Sequence, residues 1–185
     1  MRQAAMLLAF VFAIAAAPLA TSTLNGVTLP DTAQVGSTTL VLNGMGLRTK
    51  YMVKVYVAGL YVPQKSADAS TILKSNTPKR IVMHFVRDVS KTQLTDGFTE
   101  SFNSNTPDVA RTLKSEIEHF FAVLDAVKDG ENLTLTYVPA TGTSISVAGK
   151  EKLTIVGPAF AEMLFSVWLG PKPPNASLKK GLLGQ

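Results

Sequence analysis

The side chains best suited to chemistry lie in one stretch. Gly44-Met45-Gly46-Leu47-Arg48 sets an arginine behind two glycines, and the segment that follows carries Tyr56 and Tyr61. Glycines let a backbone pass close to a neighbour, and an arginine just after a tight glycine turn is aimed by it. A guanidinium presents a planar fork of donors that matches a carboxylate or a polarised carbonyl. Arg48 and Tyr56 are eight apart in the chain. On a regular strand that spacing puts both on one side, where the tyrosine hydroxyl adds a donor. Tyr61 then faces the other side, unless the turn changes the register. Glycine-arginine turns and core tyrosines are also ordinary structural features, so the pattern alone carries both readings.

Other chemistry is sparse. The chain has no nucleophile elbow, phosphate loop or dinucleotide fingerprint. It has no cysteine, which excludes disulfides and thiol catalysis. Glu116-Ile117-Glu118-His119 contains the Glu-x-x-His spacing of carboxylate-bridged metal sites, but the second copy such sites need is missing. No metal and no cofactor are expected. His119 reads as a solvated helix residue, and His84, beside Phe85, as a sheet-surface residue. Asn132-Leu133-Thr134 and Asn175-Ala176-Ser177 match the glycosylation acceptor pattern.

The elements that must position these residues follow from patterning. The chain has 185 residues, room for one domain. Residues 1–22 read as a cleavable signal peptide: a basic start, an apolar run, then small residues, with cleavage near Ala20 or Ser22. That run is short for the ~20 residues of a membrane span, and no later segment approaches that length. The domain is then 23–185, periplasmic or secreted. A net charge of +5, spread without long basic runs, argues against a nucleic-acid partner.

Short strands are predicted over 27–42, then a glycine-rich turn, then a long strand over 51–62 covered on both faces. A short helix over 66–75 and a strand over 79–86 come next. Ser90 and Gln93 form a capping box that opens a helix to about 103, with Leu94, Phe98 and Phe102 facing inward. Thr106-Pro107 opens a second helix that Gly130 closes. Alternation over 132–156 predicts an antiparallel meander. Gly157-Pro158 starts a helix bearing Phe160, Met163, Leu164, Val167 and Trp168, and a last helical turn covers 178–183. The sum is an α+β layer fold.

The stretch Asn43-Gly44-Met45-Gly46-Leu47-Arg48-Thr49-Lys50, running on to Lys54-Val55-Tyr56-Val57-Ala58-Gly59-Leu60-Tyr61-Val62, resembles the signature of the chalcone isomerase-like family. The likeness is to its exported bacterial branch. It continues through Phe85-Val86-Arg87-Asp88-Val89-Ser90, Phe165-Ser166-Val167-Trp168-Leu169-Gly170 and 177–184. The resemblance implies an open-faced β-sandwich, a large antiparallel sheet covered on one face by helices, with a ligand cleft between the layers. In the family's plant enzymes an arginine holds the anion and polarises the ketone of a chalcone, aided by threonine, tyrosine and asparagine. Arg48 matches that arginine. Tyr56 falls at the threonine, Leu94 at the tyrosine and Ser101 at the asparagine. Fatty-acid-binding relatives pair the arginine with a tyrosine on this strand, as Arg48 and Tyr56 do here, with Tyr61 as the fallback.

Three functional readings result. In the first the protein is non-catalytic and binds a small apolar carboxylate, such as a fatty acid, or a phenolic ligand. Arg48, Tyr56, Tyr61, Leu94, Phe98, Ser101 and Phe102 would form its site, with Phe121 and Met163 lining an apolar tunnel. Each buried methylene then gains about 0.8 kcal/mol. In the second it is an intramolecular lyase, with Arg48 as electrophile and Tyr56 as acid. A leucine at position 94 cannot donate to a developing enolate, which counts against this reading. In the third, side chains fill the cleft and the protein serves an envelope partner.

Overall fold

The computed structural model describes residues 20–185. The predicted signal segment lies outside them except at its end, where the first strand begins. The strands are β1 (Thr21–Leu24), β2 (Val27–Pro30), β3 (Thr32–Val35), β4 (Thr38–Lys50), β5 (Val53–Val62), β6 (Lys79–Phe85), β7 (Asn132–Val138), β8 (Gly142–Val147) and β9 (Lys150–Ile155). β3 to β9 form one seven-stranded sheet in chain order, antiparallel throughout. The helices are α1 (Ala69–Lys74), α2 (Lys91–Asn105), α3 (Pro107–Thr112), α4 (Lys114–Val123), α5 (Pro158–Leu169) and α6 (Ala176–Leu182). This is the α+β architecture expected.

Period-two alternation decides which face the helices cover. Ile81, Met83 and Phe85 of β6, Leu133, Leu135 and Tyr137 of β7, and Ile145 and Val147 of β8 share the main core. Every second residue of a strand points to the same side. α5 is apolar on all sides and buried from Met163 to Leu169, as a helix enclosed between layers must be. On the opposite face, β1 and β2 pair as a separate hairpin, whose Val27 and Leu29 pack on Val57. β5 is therefore covered on both sides. Farther along that face polar pairs take over, Arg80 with Thr136 at 2.8 Å and His84 with Asn132 at 2.8 Å.

Two expectations are corrected. The helix predicted from 106 to Gly130 is two helices, broken at Leu113 and ending at Val123. Leu124 turns extended so that Val127 can pair with Val89 in an isolated bridge. Gly130 instead has φ +83° and its N–H reaches the Phe85 carbonyl at 2.9 Å, guiding the chain into β7.

The second correction matters more for function. Gly44 and Gly46 do not form a turn; they lie inside β4, opposite Leu60 and Ala58 of β5. Gly44, Gly46 and Arg48 are alternate residues, so they share the face beneath the helices. What needs glycine there is proximity. A Cβ at Gly46 would overlap the Leu178 carbonyl of α6, and one at Gly44 would sit 2.9 Å from the Gly184 nitrogen. Gly181 is confined in return by the Met45 carbonyl, so α6 rests on β4 almost backbone to backbone. Asn43 secures its far end. A bulge between Leu42 and Gly44 leaves Asn43 unpaired, and its buried amide donates to Leu182 O (2.7 Å) and Ser66 O (3.0 Å) while accepting from Ser66 N (2.7 Å).

Gly46→Ala should therefore destabilise the fold by about 1–3 kcal/mol, the cost of overpacking a site with no room to relax. Gly97 of α2 offers the control, since a Cβ there meets nothing within 4 Å. Gly97→Ala should be neutral or gain up to ~1 kcal/mol of helix propensity. Denaturant unfolding of both variants checks the contrast.

Candidate functional site

The last third of β4 and the first third of β5 build the site. Arg48 is registered directly opposite Tyr56. The two share a face because they are cross-strand partners, not because they ride one strand, as the sequence spacing suggested. Immediately beyond, the register shifts so that Thr49 opposes Lys54. Val55 is the unpaired residue of that bulge, and both Val55 and Tyr56 reach the cavity below the helices.

That cavity is about 630 Å³. Met83 and Phe85 of β6 form its base. One face of α2 supplies a wall, with Leu94, Gly97, Phe98, Ser101 and Ser104 at helical spacing. Val167 and Trp168 of α5 close the third side, and Pro173 and Pro174 edge it near Arg48. Phe98 stands edge-on to Phe120 (4.9 Å) and Trp168 (6.1 Å), so the wall is backed by packed aromatics.

The polar groups converge at one place. Arg48 Nη1 donates to the Thr49 carbonyl, to Asn175 Oδ1 at 3.0 Å and to Pro174 O at 3.3 Å. Asn175 Oδ1 also accepts from Thr49 N at 3.0 Å, so the residue before α6 clamps one edge of the guanidinium. Among the described residues Nε and Nη2 have no protein acceptor, which leaves the other edge of the fork for a ligand. Tyr56 is buried, and its hydroxyl accepts from Trp168 Nε1 at 2.9 Å. That bond occupies the oxygen and leaves the hydroxyl hydrogen to donate onward. Burial pushes the Tyr56 phenol up to about 12, against the pull of the Trp168 bond and the Arg48 charge. The site thus offers a fixed cation and a neutral donor, the complement of a carboxylate. Lys50, Arg87 and Lys172 also line the cavity, against a single carboxylate, Glu100.

The expected site residues divide. Arg48, Tyr56, Leu94, Phe98 and Ser101 meet at the cavity. Tyr61 does not: it lies on the opposite face with Leu40 and Leu42, and its hydroxyl donates to Pro30 O at 2.8 Å. Phe102 is buried behind the wall, stacked on Phe121 at 6.4 Å, and Met163 is buried within α5 away from the lining. All three lie outside the cavity lining because their elements turn them into core. Sequence reasoning missed Trp168 and Asn175 as site residues. Trp168, the only tryptophan, read as core. Asn175 read as a glycan acceptor, whereas its side chain is engaged with Arg48. No cluster of metal-ligating side chains occurs among the described residues.

The sequence profile of the chalcone isomerase-like family matches residues 21–184, and the chain belongs to that family. Its curved antiparallel sheet under a layer of helices is the fold that membership implies. Among solved structures it is similar to a fatty-acid binding protein of Arabidopsis thaliana, with a TM-score of 0.66 and 15% identity. The match covers 89% of this chain and 96% of that one. No curated protein matches the chain.

Tyr61, like Tyr56, is pushed up to about 12 by burial, an effect that Arg80 opposes and Asp31 reinforces. Two of the four tyrosines should therefore ionise only near pH 12, and Tyr56→Phe and Tyr61→Phe should each remove one of them from an ultraviolet titration. Both groups hold their proton more tightly folded than at the ordinary value of 10.0. Their contribution to stability is therefore complete below pH 10 and is lost as pH rises through 12.

Proposed function

We propose that this protein is an exported, non-catalytic binder of a small apolar carboxylate such as a fatty acid. One observation carries the reading: an arginine with a free edge and a neutral tyrosine donor meet beside an open cavity that combines a basic rim of side chains with an apolar wall from Val55, Met83, Phe85, Leu94, Phe98 and Val167. The cavity volume lies within the usual range for small-molecule sites, roughly 300–1,000 Å³. A carboxylate would accept from the free edge of Arg48 and from the Tyr56 hydroxyl. Its chain would lie along Val55, Met83, Phe85, Leu94, Phe98 and Val167. The structural likeness to a protein described as fatty-acid binding supports the same ligand class.

Each methylene placed in that lining gains about 0.8 kcal/mol, so ten or so outweigh association costs of several kcal/mol. Export is inferred from the basic, apolar and small-residue succession of 1–22, which supports a periplasmic or secreted domain. The filled cleft expected of a purely partner-binding envelope protein is not what the fold provides. The lyase reading has less support. Leu94 offers no donor at the cavity wall, and a phenol near 12 serves as a hydrogen-bond donor rather than a base.

Displacement of a fluorescent fatty acid from the delipidated protein tests the proposal. Arg48→Ala should weaken binding about 10- to 100-fold, the worth of a charge-assisted hydrogen bond, while the protein still folds, with a lowered unfolding midpoint from the lost bonds to Pro174 and Asn175. Gly97→Trp should abolish binding by filling the cavity from the α2 side. Equal affinity in wild type and both variants would place the ligand elsewhere.

A further inference from the structure

The cavity opens beside an unusual hairpin turn. Lys50 pairs with Val53, so Tyr51 and Met52 are the two central residues joining β4 to β5. They have φ +50° and +65°, a left-handed conformation that hairpins of this length ordinarily assign to Asn-Gly. Here it holds large apolar side chains, Tyr51 90% and Met52 98% exposed, with Val53 at 45%. Among the described residues only one other large hydrophobic, Val156, is exposed. Three of four thus sit at a single protruding tip, in backbone geometry that favours smaller residues.

The surroundings of the tip are basic. Lys50 and Lys54 flank it, and Lys50 Nζ lies 5.9 Å from the Tyr51 ring centre. Arg87 follows β6, whose end is bonded to β5 through Val86 N and Val55 O at 3.0 Å, and Lys172, like Arg87, lines the cavity. Of the nearby carboxylates, Asp88 is paired with Lys128 at 2.9 Å, which leaves Glu100 as the counter-charge in the cavity lining. Lys50, Tyr51 and Val53 themselves line the cavity.

We propose that this tip docks the protein on an anionic lipid bilayer, with Tyr51 and Met52 in the interface and the lysines against the headgroups. Aromatic and apolar side chains framed by basic residues are what such an interface retains. Three side chains on a convex turn fall far short of the 20–30 residues a side of a stable protein interface. Docking would bring the cavity mouth to the membrane, so that an acyl chain passes between bilayer and cavity without crossing water. This last step rests on the carboxylate-binding reading; the docking does not.

Flotation with phosphatidylcholine vesicles, with and without phosphatidylglycerol, tests the proposal. The wild type should float with the anionic vesicles, and added salt should weaken the association by screening. Replacing Tyr51→Asn together with Met52→Gly suits the turn, so the variant should unfold no earlier than wild type. Its partition should nevertheless fall about tenfold or more, and Lys50→Glu with Lys54→Glu should do the same. A wild type that stays with neither vesicle overturns the proposal, as does an Asn-Gly variant that floats equally well. Self-association lost in that variant, without vesicle binding, would assign the tip to a second copy instead. Wild-type vesicle binding without fatty-acid uptake would keep the docking and remove the ligand reading; uptake without vesicle binding would do the reverse.

Discussion

The seating of α6 on β4 is the contact on which the site depends. Gly44 and Gly46 remove the side chains that would separate the two backbones, and Gly181 does so from the helix side. Asn43 ties the end of the helix to the loop at Ser66 through three hydrogen bonds. With α6 held there, Asn175 at its start falls within reach of Arg48 and of the Thr49 amide. Lys179 adds a bond to Gly170 O at 2.9 Å, linking α6 to the end of α5 and so to Trp168. An arginine on an unclamped strand would sample several rotamers; this one has its Nη1 already committed to Thr49, Pro174 and Asn175.

From that scaffold the electrostatics follow. Trp168 donates to the Tyr56 oxygen, so the phenol has one direction left in which to act. Burial keeps it protonated through the physiological range. Arg48 adds a charge on a half-buried side chain that lines the cavity. The site is rich in cationic donors, which suits an anion, while the apolar side chains of β6, α2 and α5 suit an apolar body. An apolar carboxylate satisfies both conditions at once.

Much of this was legible in the sequence, and the failures are instructive. The capping box of Ser90 and Gln93 and the alternation of Leu133, Leu135 and Tyr137 announced their elements because each is a local signal. The glycines before Arg48 were misread because a glycine needed for close approach looks the same as one needed for a turn. Only the position of α6, set by residues more than a hundred places away, tells the two apart. The pairing of Arg48 with Tyr56 was anticipated for the wrong reason: the two sit on adjacent strands, and the bulge at Val55 is what sets them opposite each other. Phe102 belonged to the right helix, yet it points behind the face that Leu94, Phe98 and Ser101 present. Trp168 carried no sign of function, because its partner is a tyrosine far back in the chain.

Trp168 also provides the most direct measurement. It is the only tryptophan in the chain and lines the cavity beside Tyr56, so its fluorescence reports on that space alone. Titration with a brominated fatty acid, in buffer without detergent, should quench it to saturation at one ligand per chain. The methyl ester of the same acid should quench at least ~10-fold less effectively, having lost its charge for Arg48. No quenching, or equal quenching by acid and ester, would contradict the account of an arginine-anchored carboxylate in this cavity.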